Sequence, residues 1–429
     1  MKVYIFMLLF LFSCKEPNVF VQENYIISEV HYETIDKCTG IDIDDNMLVA
    51  AANHNGYLRY NILEDDNGNA SLELEQHVED LVSGDEGDAA TGVLISDNMH
   101  GMVFIHDDYD PFLREDLNNP GVLYRTTTTC GNSFVIRDLA LNNDIPDTTL
   151  LFTLQKHSDG APLGGSNYST SVAMREYFNG SDGIWEPDTE PACNTALHFS
   201  IDATKVSYFN NIVAVADAGL GVEIYKYERY VAEPFTDSNE NGVYDGPGCS
   251  GTNPDFGWFC SEVTDESACT IDPCNGTWVP EEDAEVFEDT NDDGVFTIIK
   301  DSFTFKDDFN IQGGEAESLF ITDNYVLAGF DNDRGCYMAL LDSDSSIMAN
   351  LLFADGYSIN AIDAGNSFLA LAAGNDGVLI YQWDGSLEVN LLTNIDSGDD
   401  NYVYDVKVDG NNIYTASENG ISIYKIEEQ

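Results

Sequence analysis

Positive charge is what this chain most lacks: 17 Lys and Arg stand against 77 Asp and Glu, for a formal net charge of −60. Proteins hold nucleic acid and anionic lipid through clustered Lys and Arg, so the imbalance excludes a nucleic-acid partner. Two other readings of the acid surplus can hold together, solvation of a surface facing brine and attraction of divalent cations. Long apolar runs are also few. The run from Val3 to Phe12 is too short to span a bilayer, and no later segment is long and apolar enough.

Catalytic signatures are missing too. There is no G-x-S-x-G elbow. The "GLG" at Gly219 to Gly221 falls in a hairpin pattern and opens no helix, so it reads as a turn and not as a nucleotide loop. No cysteine pair has C-x-x-C spacing, which argues against zinc. The seven histidines are scattered. In "HGMVFIH", His100 and His106 share one strand face, a geometry that could hold a metal but more often marks a satisfied blade surface.

Apolar residues are plentiful, at 43% of the chain, enough for a large core. The opening "MKVYIFMLLFLFSC" has the layout of a bacterial export signal, with Lys2, an apolar run, and a small residue before Cys14. Leu11 to Cys14 resembles a lipoprotein signal, cut before Cys14, which then carries the lipid. Phe12 departs from the small or β-branched residue usual there, so an ordinary secretory cut and an uncleaved leader stay open. Eight further cysteines remain: Cys38, Cys130, Cys193, Cys249, Cys260, Cys269, Cys274 and Cys336. An even count in an exported chain predicts disulfides, with the connectivity open. Four of them fall in 249–274, which marks a small stapled module.

The chain repeats itself. "GVEIY" at Gly221, "GVLIY" at Gly377 and "GISIY" at Gly420 each follow an apolar strand and a tight Asn/Asp/Gly turn, the pattern of a β-hairpin. Looser copies carry Gly56, Gly101 and Gly335. Neighbouring glycines recur about every 42 to 45 residues, the length of one four-stranded propeller blade. The segment Gly101 to Gly221 holds two blades; the irregular third uses "SFVIRDLAL", "TTLLFTLQ", "TSVAMREYF" and "ALHFSI". The expectation is an all-β, seven-bladed β-propeller. "NYIISEVHYETI" (Asn24 to Ile35) has no hairpin partner of its own, and "GISIYKIEEQ" is only a third strand, so the two are expected to pair and close the ring.

The phrase "NNIVAVADAGLGVEIYKYE" resembles the LVIVD-type repeat, a β-propeller repeat of exported bacterial and archaeal proteins, and 366–383 and 411–426 are similar. The resemblance implies a propeller in an exported protein, often of unassigned activity. It brings no catalytic residues across.

Blade four lacks an outer strand until "DSFTFKDDF" (Asp301 to Phe309), so 231–300 is an insertion between its third and fourth strands. The resulting organisation is a signal at 1–13, a tether at 14–23, the propeller at 24–230 and 301–429, and the disulfide-rich insertion. Two phrases in the insertion, "FTDSNENGVYD" and "FEDTNDDGVFT", share one register. Asp237, Asn239, Asn241, Val243 (by its carbonyl) and Asp245 in the first, and Asp289, Asn291, Asp293, Val295 (by its carbonyl) and Thr297 in the second, form the first half of a calcium loop. Position 12 is Gly248 or Lys300, which excludes an EF-hand. The phrases are similar to the short calcium loops of extracellular modules; Asp255, Glu281, Glu282 and Asp283 are candidates for the missing ligands. Asx turns in an Asp-rich chain are the plain alternative, but the shared register favours structural Ca²⁺.

The functional expectation is a non-enzymatic, lipid-anchored propeller of the cell envelope, on the outer membrane or cell surface, that binds or scaffolds a protein or glycan as a monomer, with the membrane reached only through the lipid on Cys14. The alternative is a calcium-dependent hydrolase, lactonase-like or phytase-like, with its site in the channel formed by acidic turns such as "DIDDN", "DDYD" and "FDNDRG".

Overall fold

The computed structural model describes residues 25–33, 37–78, 90–96, 101–106, 113–116, 123–125, 134–142, 148–157, 170–179, 185–187, 197–199, 203–230, 248–250, 277–279, 300–365, 367–398 and 401–428. Among them there is no helix. The chain divides into two compact units, Met1–Lys226 with Phe303–Gln429, and Tyr227–Ser302.

In the first unit the strands form antiparallel sheets in chain order. β1 (Tyr25–Glu33) is followed by a sheet of β2 (Gly40–Asp44), β3 (Met47–Ala51), β4 (Tyr57–Glu64) and β5 (Ala70–Val78). The next holds β6 (Ala90–Ser96), β7 (Gly101–His106), β8 (Leu113–Asp116) and β9 (Leu123–Arg125). A third has β10 (Phe134–Asn142), β11 (Thr148–His157) and β12 (Thr170–Asn179), with two short strands, β13 (Trp185–Pro187) and β14 (Leu197–Phe199), sharing the edge of β12. The segment "ALHFSI" therefore supplies only part of that outer position. The fourth holds β15 (Ala203–Phe209), β16 (Ile212–Asp217) and β17 (Gly221–Tyr230), and its edge strand comes much later in the chain. In the second unit β18 (Gly248–Ser250) pairs with β19 (Thr277–Val279). That edge strand is β20 (Lys300–Phe309), as "DSFTFKDDF" leads one to expect. Two regular sheets follow, β21 (Ala316–Ile321), β22 (Tyr325–Phe330), β23 (Gly335–Leu341) and β24 (Ile347–Phe353), then β25 (Ala361–Ala364), β26 (Phe368–Ala372), β27 (Val378–Gln382) and β28 (Asn390–Ile395). The last is β29 (Val403–Asp409), β30 (Asn412–Ser417) and β31 (Gly420–Glu428), whose free edge is taken by β1 in a nine-residue antiparallel register from Tyr25 opposite Glu428 to Glu33 opposite Gly420. This is a propeller-like all-β fold.

The core lies between sheets. Second strands are buried on both faces, with every residue of β16, β22, β26 and β30 buried, which is why β22 and β26 read as unbroken apolar phrases and not as alternating ones, while β16 and β30 also bury polar residues such as Asp217, Asn412 and Thr415. The outer strand β24 alternates between half-buried and exposed residues. Tyr414, Ile421 and Ile423 of the last sheet pack with Ile41, Leu48 and Leu58 of the first full one, while Phe368 and Ile380 pack with Val406, Ile413 and Tyr424.

The repeat glycine has a physical cause at Gly221, Gly335 and Gly377. Each has φ between +75° and +92°, in the region glycine adopts freely, and a Cβ there would overlap the carbonyl oxygen of Phe309, Phe353 or Ile395 at the end of the sheet's outermost strand. The hairpin turn and the seating of the fourth strand thus require the same residue. Asp217 begins one such turn, its Oδ1 accepting the N–H groups of Gly219 and Leu220 at 2.8 and 2.9 Å.

The disulfide expectation is corrected for two cysteines. Cys38 and Cys336 are free thiols, both fully buried. Cys38 Sγ donates to Gly40 O at 3.6 Å within one apolar cluster, and Cys336 packs in another with Met338 and Leu371. Each serves as a small apolar residue between sheets, so parity alone overcounted the bridges. Cys14, Cys130, Cys193, Cys260, Cys269 and Cys274 lie outside the described residues; Cys249 is described only as a member of β18.

Candidate functional site

The innermost strands β2, β6, β10, β15, β21, β25 and β29 together line one cavity of about 520 Å³. Charged side chains enter it from these strands, and most are already engaged. Four aspartates each accept a backbone N–H from the innermost strand of the following sheet. Asp42 Oδ2 takes Ile95 N at 2.7 Å, Asp138 Oδ2 takes Val206 N at 2.8 Å, Asp363 Oδ2 takes Val408 N at 2.6 Å, and Asp405 Oδ2 takes Ile41 N at 3.0 Å. Hydroxyls make comparable links, Thr204 Oγ1 donating to Ala316 O and Ser318 Oγ to Ile359 O. Each aspartate bond ties one innermost strand to its neighbour, so the aspartates act as latches between neighbouring sheets.

Two lysines balance them. Lys407 Nζ lies 3.0 Å from Asp42 Oδ1, and Lys205 Nζ lies 3.3 Å from Asp138 Oδ1. Loss of water opposes the charge on Lys407, yet Asp42, Asp363 and Asp405 around it hold its pKa above the usual value. Burial pushes Asp363 up to about 7, with Lys407 and the Val408 N–H pulling against it and Asp42 and Asp405 adding to it. Asp138 and Asp405 are likewise raised, by burial first.

One mouth of the cavity is a pocket of about 360 Å³ lined by Lys205, Glu317, Asn360, Tyr402 and Tyr404. The segment "NYVYD" leads into β29, with Tyr402 just before the strand and Tyr404 at the irregularity between Val403 and Asp405. Their rings lie 4.8 Å apart, tilted by 47°. Tyr402 rests on Gly374, where a Cβ would press into the ring edge, and Val403 N donates to Gly374 O at 3.0 Å. Tyr404 donates its hydroxyl to Glu418 Oε2 at 2.5 Å, and Lys37 Nζ stands 5.2 Å from the Tyr404 ring centroid, within cation–π reach. Asn360 Nδ2 donates to Val403 O at 3.2 Å.

At the same mouth Glu317 joins Glu315 and Asp331, with ligand oxygens of all three within 4.8 Å of one another. Glu315 precedes β21, Glu317 is its second residue, and Asp331 follows β22, where Asp331 Oδ1 accepts Glu315 N at 2.6 Å. Glu317 is raised above its usual pKa by burial first, then by Asp331 and Glu315, with Lys205 and Arg137 opposing. Three carboxylates at this spacing could hold a divalent cation, although exposed acidic groups commonly gather without one.

The sequence-derived candidates divide. Of the acidic turns, "FDNDRG" supplies Asp331 to this group. "DIDDN" supplies Asp42, paired to Lys407, and with Asp44 and Asp45 it lines the opposite mouth, a pocket of about 310 Å³. "DDYD", His100, the loops from Asp237 to Asp245 and from Asp289 to Thr297, and Asp255, Glu281, Glu282 and Asp283 lie outside the described residues. His106 is described only as a member of β7. Tyr402 and Tyr404 are not marked by the sequence, because they meet where the entry into β29 is irregular between Val403 and Asp405. The pair Glu315 and Glu317 one hairpin before Asp331 was a usable signal.

No family model matches the chain, and no curated protein does. Among solved structures it is similar to the computationally designed protein Ika8, at 13% identity over 92% of this chain and 97% of that one, with a TM-score of 0.49.

Proposed function

We propose that the chain is an exported, lipid-anchored protein of the cell envelope, folded as a seven-bladed propeller closed by β1, that binds a ligand at the Tyr402/Tyr404 mouth and does no chemistry on it. The pairing of β1 with β31 supports closure, and the LVIVD-type resemblance supports an exported propeller. Calcium in the two loops of 231–300 is structural in this reading, a clamp on the insertion. The observation that carries the binding role is the engagement of the carboxylates on the innermost strands: Asp42, Asp138, Asp363 and Asp405 hold backbone N–H groups of a neighbouring sheet, and two of them also pair with lysines. Groups spent on holding the ring together are poor acids, bases or metal ligands, while the aromatic mouth stands open.

One observation favours the second reading, a calcium-dependent hydrolase: the carboxylate group of Glu315, Glu317 and Asp331 at the same mouth. Turnover of lactones and phosphate esters by the full chain, with calcium and with chelator, separates the two. Absence of calcium-dependent turnover is expected. Turnover that disappears in Glu317→Gln, with the variant's melting unchanged, would make the protein an enzyme.

A further inference from the structure

The mouth pocket combines features that narrow its ligand. It holds about 360 Å³, at the small end of ligand sites, which run from about 300 to 1,000 Å³. Its apolar surface comes from two tyrosine rings held in place from behind, Tyr402 by Gly374 and Tyr404 by its hydroxyl bond to Glu418. Preorganised rings lose little entropy on binding. Its polar groups are an amide, Asn360, a carboxylate, Glu317, and an ammonium, Lys205.

Charge then selects. An anion would approach against a net charge of −60. A cation would meet Lys205 in the pocket and Lys37 already over the Tyr404 ring. Lys205 is ion-paired to Asp138, and Glu317 lies in the field of Lys205 and Arg137, so a charged ligand would have to disturb these balances. A neutral polyol disturbs none of them. Its hydroxyls donate to carboxylate and carbonyl oxygens and accept from ammonium and amide groups, while its C–H face lies on an aromatic ring.

Resting on the reading of this mouth as the ligand site, we propose that it binds a neutral saccharide, one or two pyranose rings. Tyr402 forms the stacking face, with Tyr404 packed beside it, and Lys205, Glu317 and Asn360 bond the hydroxyls. For a ligand of this size the dissociation constant is about 1 mM.

The test is saturation-transfer NMR on the full chain with free glucose, galactose, mannose, N-acetylglucosamine and their disaccharides, each up to about 50 mM, well above that constant. The expected result is transfer to the sugar C–H protons from at least one of them, weakened about tenfold or more in Tyr402→Ala and in Asn360→Ala. Asp384→Asn, away from the mouth, should leave it unchanged. Silence from every sugar, or binding that both mouth variants preserve, overturns the proposal. Free lysine and inorganic phosphate serve as charged probes. If one of them binds and Tyr402→Ala abolishes it, the mouth is a ligand site but not for sugar. If no probe of any class binds, the mouth reading fails with the proposal.

Discussion

Asp405 on β29 accepts the backbone N–H of Ile41 on β2 at 3.0 Å, joining residues 364 positions apart. Asp42, Asp138 and Asp363 repeat the gesture at other junctions, so a net-acidic chain spends carboxylates on tying neighbouring sheets together. Removing the acceptor in Asp405→Ala leaves that N–H without its partner and should cost about 1–3 kcal/mol in urea unfolding. Asp405→Asn keeps an acceptor oxygen and avoids ionising a buried acid, so it should cost much less. Equal losses in the two variants would show that charge, and not the N–H bond, is what matters at that junction.

Asp363 gives the cavity a pH dependence with a definite sign. Its folded pKa, about 7, lies above the unfolded value of 3.8, so the native state holds the proton more tightly. Stability from this group is fully present below about pH 4 and is lost as pH rises toward 7. Asp363→Asn keeps an acceptor for Val408 N and cannot ionise. The variant should gain on the order of 1 kcal/mol over the parent at pH 8, after allowance for solvent screening, and nothing at pH 4. A melting difference that does not change across that range would contradict the assignment.

How much of this could be read from the chain follows its repeats. The "GVxIY" phrases mark third strands, and the apolar phrases before them mark second strands, because a strand covered on both faces cannot alternate. The strand after the insertion and the partner of the last sheet were also legible, since each left one hairpin without an edge. The latches were not. With 77 acidic residues spread along the chain, nothing local distinguishes Asp405 from Asp409. The difference is the N–H of another sheet hundreds of positions away. Cys38 and Cys336 misled for a related reason: parity is a property of the composition, whereas their burial is a property of the packing.

Those two thiols should be inert. Both are fully buried, and burial raises their pKa above the ordinary thiol value, which suppresses the reactive thiolate. Under native conditions a thiol reagent should leave Cys38 and Cys336 unlabelled by peptide mass mapping, and in denaturant it should label both without reductant. Labelling that requires reductant would mean that they are bridged after all.

Calcium, if held by the loops from Asp237 and Asp289, should bind the full chain with a dissociation constant of about 10⁻⁴ to 10⁻³ M, as in other extracellular modules. The double variant Asp237→Asn, Asp289→Asn should lose that heat in calorimetry. Glu315→Gln with Glu317→Gln should keep it, which separates the loops from the carboxylates at the mouth. Heat that survives the first variant and vanishes in the second would move the calcium to the mouth.

The pairing of β1 with β31 makes the most severe demand on the fold. β1 pairs with β31 along its whole length, from Tyr25 to Glu33. Its side chains reach both neighbouring junctions: Tyr25 meets Phe368 edge-on at 6.4 Å, and Tyr32 accepts Leu72 N at 3.0 Å through its hydroxyl. Tyr25 and Ile27 pack on the cluster that joins the last two sheets, whereas Tyr32 packs on the one joining the last sheet to that of β2. One strand therefore stitches three sheets. Deleting residues 24–33 exposes the edge of β31 and strips cover from two apolar clusters, a loss too large for the junction to absorb locally. The truncated protein should lose its single sharp melting transition and expose apolar surface to a dye such as ANS, whereas Val30→Thr, at a position 45% exposed on the same strand, should leave the melt almost unchanged. A truncation that melts as one cooperative unit at the parent's temperature would mean that the sheets hold together without this strand.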